Sequence, residues 1–101
     1  MDRTYPIEIP YAELAAFCRA NGIRKLSLFG SVVRDDFTPE SDIDVLVEFE
    51  EGKTPGFRYF GIQRELGEML GRNVDLLTPD GLSKYYRDEV LRQAELVYDA
   101  A

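Results

Sequence analysis

The segment Phe29–Phe49, FGSVVRDDFTPESDIDVLVEF, decides how this chain of 101 residues folds. Its last part, SDIDVLVEF, has the apolar content of a buried strand, yet it holds Asp42 and Asp44, a residue type that strands disfavour. Residues i and i+2 of a strand share a face, so both carboxylates point one way while Ile43, Val45 and Val47 point into a core. Carboxylates so spaced lie roughly 7 Å apart and repel by about 2 kcal/mol at an effective dielectric of about 20. Either water screens them, as on any solvated strand end, or a cation binds between them. Hard divalent cations such as Mg2+ take oxygen ligands and need only a few carboxylates beside a substrate phosphate.

Upstream, IRKLSLF reads as a strand that ends at Gly30-Ser31, followed by a short helical turn in SVVRDD. A strand ending in Gly-Ser presents backbone N–H groups and a hydroxyl where an anion docks, and Arg34 lies on the same side of that turn. Asp35, Asp36 and Glu40 read as solvent-facing loop residues. Downstream, NVDLLT is another short apolar strand with one acid, Asp75. If Asp75 faces Asp42 and Asp44, the three acids form a carboxylate cluster able to hold two metal ions. In such a cluster one ion activates an attacking oxygen and the other neutralises a leaving phosphate. The spacing does not show whether the three face alike.

The remaining elements follow from periodicity. Tyr11, Leu14, Ala15 and Cys18 mark a helix over about 10–21, closed by Asn21-Gly22, and Tyr59, Ile62, Leu66, Met69 and Leu70 mark a second, closed by Gly71. A third helix is expected over 82–94 after Pro79-Asp80-Gly81, and LVYD as a last strand. This order predicts an α/β or α+β domain spanning 1–101, with a sheet of about four strands covered by helices. Tyr85-Tyr86 reads as core and rim of the third helix. Phe57, Tyr59 and Phe60 serve equally as core or as partner surface, and Lys53–Gly56 as an ordinary exposed loop.

The chain contains no histidine, so acid–base or metal chemistry falls to carboxylates. Its net charge of −7 disfavours direct nucleic-acid binding and anionic membranes and suits a cationic or protein partner. No apolar run is long enough for a membrane span, and MDRTYPIEIP lacks the apolar stretch of a signal peptide. With Cys18 as its single cysteine, a cytoplasmic location is expected, and the thiol reads as a small buried hydrophobe.

Gly30-Ser31, ten residues, then Asp42-x-Asp44 resembles the signature of the DNA polymerase β-like nucleotidyltransferase superfamily, and with Asp75 in NVDLL the chain is similar to minimal nucleotidyltransferases (MNT proteins) over about Ala12–Tyr98. That resemblance implies a nucleotidyltransferase fold, in which the sheet is mixed, and an enzyme using Mg2+, with two ions, and ATP. Gly30 and Ser31 would hold the triphosphate, assisted by Arg34. Asp42, Asp44 and Asp75 would be the catalytic metal ligands, with Asp75 nearest the nucleophile. It further implies a HEPN-domain toxin as partner in a hetero-oligomer of the type VII-like toxin–antitoxin kind, neutralised by AMP attached to a tyrosine hydroxyl. Two other roles fit the same residues: a non-catalytic module that binds nucleotide or covers the toxin, and a catalytic subunit acting on a small molecule or RNA. Nucleotide preference, the number of AMP units and the stoichiometry leave no mark in the sequence.

Overall fold

A computed structural model describes residues 5–100; Met1–Thr4, the start of the segment read above for a signal peptide, and Ala101 lie outside them. The elements are α1 (Tyr11–Ala20), β1 (Ile23–Phe29), a 3-10 turn at Gly30–Val33, β2 (Ile43–Phe49), α2 (Arg58–Leu70), β3 (Val74–Leu77), a 3-10 turn at Pro79–Gly81, α3 (Arg87–Gln93) and β4 (Glu95–Asp99). The sheet has the order β3-β2-β1-β4. Strand β1 is antiparallel to both β2 and β4, and β2 is parallel to β3 through the α2 crossover. The four strands and helical cover agree with the apolar periodicities, and the mixed pairing is the one that the family resemblance implies.

The two sheet faces bury different things. One packs Leu26, Leu28, Ile43, Val45, Val47 and Leu76 against Leu14 and Cys18 of α1 and Ile62, Leu66 and Leu70 of α2. On the other, Phe29 and Leu46 pack under Leu82, with Leu77, Val90 and Ala94 around them. Alternation in β2 therefore sends Asp44 to the thinly covered second face, beside Leu46. No helix among the described residues is long and apolar enough to cross a membrane.

Two expectations need correction. The strand SDIDVLVEF begins at Ile43, so Asp42 precedes it. The reason is a tight turn: the Thr38 amide donates to Ser41 Oγ at 2.9 Å and the Ser41 amide to the Thr38 carbonyl at 3.0 Å, so Ser41 bonds within its own loop. The third helix starts only at Arg87. Leu82 is extended, at φ −85° and ψ 143°, because its side chain plugs the second face, and the Tyr86 amide donates to the Ser83 carbonyl in the turn that follows. Tyr85 and Tyr86 are thereby 91% and 52% exposed, neither of them core. Of the aromatic cluster, Tyr59 packs on Phe49 while Phe57 and Phe60 face solvent.

Candidate active site

Parallel pairing of β2 and β3 makes Asp44 and Asp75 register partners, and antiparallel pairing of β1 and β2 makes Phe29 the partner of Asp44. Because paired residues in adjacent strands project to the same side, Asp44 and Asp75 share a face. That face also receives the end of β1, where the chain turns into Gly30–Val33. Gly30 has φ 76°, and a Cβ built on it would overlap Asp44 Oδ2. Glycine is required there twice over, for its left-handed backbone and because the turn lies directly against the carboxylate. Beside it, Ser31 is half-buried and accepts the Arg34 amide through its carbonyl at 3.0 Å.

Asp44 is half-buried, whereas Asp42 and Asp75 are exposed. The Asp44 carboxyl is held above its usual pKa, first by burial, then by the negative charges of Asp75 and Asp42, with Arg34 acting in the opposite sense. Asp42 and Asp75 therefore lie close enough for their charge to be felt at Asp44. Among the described residues, however, no three acidic or thiol side chains converge tightly enough to hold a metal ion as they stand. Arg34 is exposed and donates through Nε and Nη2 to the Asp36 carboxylate at 3.2 and 3.3 Å. Asp35 and Glu40 are exposed, as expected of loop residues.

Several side chains that hold this site gave little sequence signal. Tyr59 Oη donates to the Leu76 carbonyl at 2.7 Å, and Gln63 Oε1 accepts the Leu76 amide at 2.9 Å, so α2 covers the outer edge of the strand that carries Asp75. Arg72, between α2 and β3, reaches back to the loop before Asp42.

The chain matches the nucleotidyltransferase domain family over residues 13–97. It is 39% identical over 74 residues to MJ0435 of Methanocaldococcus jannaschii, designated a candidate protein adenylyltransferase, covering 73% of this chain and 78% of that one. It is 37% identical over 78 residues to the protein adenylyltransferase MntA of Thermococcus cleftensis, covering 76% and 75%. Among solved structures, a toxin–antitoxin complex with AMP-PNP superposes with a TM-score of 0.71 at 21% identity, over 91% of this chain and 75% of that one. An MNT antitoxin in complex with a tri-AMPylated Shewanella oneidensis HEPN toxin gives 0.62 at 20% identity, over 89% and 70%. The two structures share the fold with this chain, and the family match spans both the Gly30 turn and all three acids. The chain thus belongs to the nucleotidyltransferase domain family, as a nucleotidyltransferase of the minimal, MNT kind.

Proposed function

We propose that this chain transfers AMP from ATP to a tyrosine hydroxyl of a HEPN-domain toxin and so acts as its antitoxin. The observation that carries the proposal is the juxtaposition of Asp44 with Asp75 across β2 and β3 and with the Gly30 turn at the end of β1. Two carboxylates and a turn whose backbone N–H groups would bind phosphate thereby lie side by side, which supports nucleotidyl transfer. The relatives named for protein adenylylation and the complex with an AMPylated HEPN toxin support the choice of acceptor.

Asp42, Asp44 and Asp75 would hold Mg2+, as two ions, once rotation of Asp42 and Asp75 brings their oxygens toward Asp44. An all-oxygen donor set suits a hard divalent cation, and bound positive charge would offset both the burial and the neighbouring carboxylate charges that raise the Asp44 pKa. Magnesium there would supply Lewis acidity at the phosphates. The chain itself supplies orientation. Backbone N–H groups at Gly30-Ser31 and the Ser31 hydroxyl donate to triphosphate oxygens, and Arg34 exchanges Asp36 for a phosphate. Asp75 takes the proton of the acceptor hydroxyl as the new bond from its oxygen to the α-phosphorus forms. The bond from that phosphorus to the β-bridging oxygen breaks, and pyrophosphate leaves. A free, buried Cys18 thiol is consistent with a reducing cytoplasm.

The test is mass spectrometry of a HEPN-domain partner after incubation with the chain, ATP and Mg2+. One or more AMP adducts on a tyrosine are expected, and they should vanish with Asp42→Asn/Asp44→Asn. Adducts that survive the double substitution overturn the catalytic assignment. Tight complex formation without any adduct would instead favour a covering module, and adducts only on RNA or a small molecule would move the acceptor elsewhere.

A further inference from the structure

We infer that Arg72 is a positioning residue for Asp42, fixing the peptide from which that carboxylate projects; the inference rests on the proposed role of Asp42. Asp42 is the most weakly supported of the three acids. It is exposed and lies just before β2, on the connection that returns the chain from the Gly30 turn. Arg72 compensates from across the fold. Its Nη2 donates to the Thr38 carbonyl at 2.7 Å and to the Ser41 carbonyl at 3.0 Å, the latter belonging to the peptide unit that ends at the Asp42 nitrogen. The next residue completes the bracket, since the Asn73 carbonyl accepts the Ile43 amide at 2.9 Å. Asp42 is therefore held on its N-terminal side by Arg72 and on its C-terminal side by Asn73.

The arginine is itself well anchored. Its amide donates to the Gly67 carbonyl at 3.1 Å at the end of α2, and its guanidinium lies 4.6 Å from the centre of the Phe37 ring, which packs against the main core. A cation–π contact together with two charge-assisted hydrogen bonds suits the fork of a guanidinium better than the point charge of an ammonium. Arg72 also stands three residues before Asp75. A single side chain thereby ties the loop that carries Asp42 to the strand that carries Asp75, and sets their separation.

The test uses Mn2+ as the probe, followed by EPR on the nucleotide-free chain, together with thermal melting and the kinetics of AMP transfer. Arg72→Met should weaken Mn2+ binding about tenfold or more, in the range found when groups that orient metal ligands are lost. It should lower kcat with little change in the KM for ATP, and Arg72→Lys should recover part of both. If Arg72→Met lowers the melting temperature but the folded protein binds Mn2+ like the wild type, Arg72 is merely structural and the inference is wrong. Asp42→Asn is the separating control. If it abolishes Mn2+ binding while Arg72→Met does not, the positioning role fails and the carboxylate site stands. If Asp42→Asn leaves Mn2+ binding intact, the site reading itself fails, and the inference with it. Should Arg72→Met not fold, Arg72→Lys decides: Mn2+ binding and kcat lower than in the wild type support positioning, and wild-type values overturn it.

Discussion

Asp44 and Asp75 stand side by side on the parallel strands β2 and β3, with Asp44 half-buried and raised in pKa by burial and by its neighbours' charge. The folded chain therefore carries a destabilising carboxylate at the centre of the proposed site. Its sign follows from proton linkage. Because the folded pKa lies above the ordinary 3.8, the native chain keeps its proton to higher pH than the unfolded chain, and stability falls as pH rises through that window. Asp44→Asn should remove the fall: its melting temperature should match or exceed that of the wild type at pH 7, with a smaller difference at pH 3.5. Adding Mg2+ should raise the wild-type value and leave the variant unmoved. AMP transfer by the variant should drop by about 100-fold or more.

Gly30 against Asp44 gives a second expectation. Gly30→Ala meets both a left-handed backbone and overlap with the Asp44 carboxylate, whereas Gly52, at φ 77°, has nothing within 4 Å of a Cβ. The Gly52→Ala variant should show the backbone penalty alone, about 1–2 kcal/mol. Gly30→Ala should cost more, at about 4–8 °C of melting temperature per kcal/mol for a domain of this size. It should also impair AMP transfer, because relieving the overlap moves either the Gly30 turn, proposed to hold the triphosphate, or Asp44. Equal melting temperatures for the two variants would mean that the Gly30 turn yields freely.

The sheet and α2 were legible because their apolar spacing is dictated by burial, and Gly71 ends α2 in the left-handed conformation that its position implies, at φ 73°. Asp44 and Asp75 were legible as polar residues at positions where strands are otherwise apolar. Their shared face was not, since it depends on the parallel register through a crossover that no local pattern encodes. The helix expected from Leu82 failed for a related reason. Leu82 and Val90 suit a helical stripe, but Leu82 serves the second sheet face as an extended plug, and tertiary demand overrode periodicity. Arg72 was invisible because its partners are backbone carbonyls, which carry no sequence signal.

The edge of β3 supplies a test of how Asp75 is held. Tyr59 and Gln63 satisfy the carbonyl and amide of Leu76, the residue after Asp75. Burial, and then the Asp75 charge, raise the Tyr59 pKa, so its phenol remains a donor throughout the neutral range. Tyr59→Phe and Gln63→Leu should each cost about 1 kcal/mol of stability. Hydrogen exchange at the Leu76 amide should quicken markedly in Gln63→Leu, where its acceptor is lost, and less in Tyr59→Phe. Unchanged exchange in Gln63→Leu would show that this edge is protected by α2 packing alone.

Cys18 tests the solidity of the core behind the site. It is fully buried, and burial pushes its thiol up to about 12 from an ordinary 9.0, so almost no thiolate exists in the folded chain at pH 8. Labelling by a disulfide reagent at pH 8 should therefore proceed only through opening of the fold, accelerating with denaturant in parallel with global unfolding. The linkage has a definite sign here too. The native state holds the proton where the unfolded chain releases it, so stability falls as pH rises from about 9 toward 12. Cys18→Ser, which buries a hydroxyl in the apolar contact between α1 and the sheet, should cost about 1–3 kcal/mol and speed labelling-independent unfolding. Rapid, denaturant-independent modification of Cys18 in the wild type would instead mean that α1 lifts from the sheet without the rest unfolding.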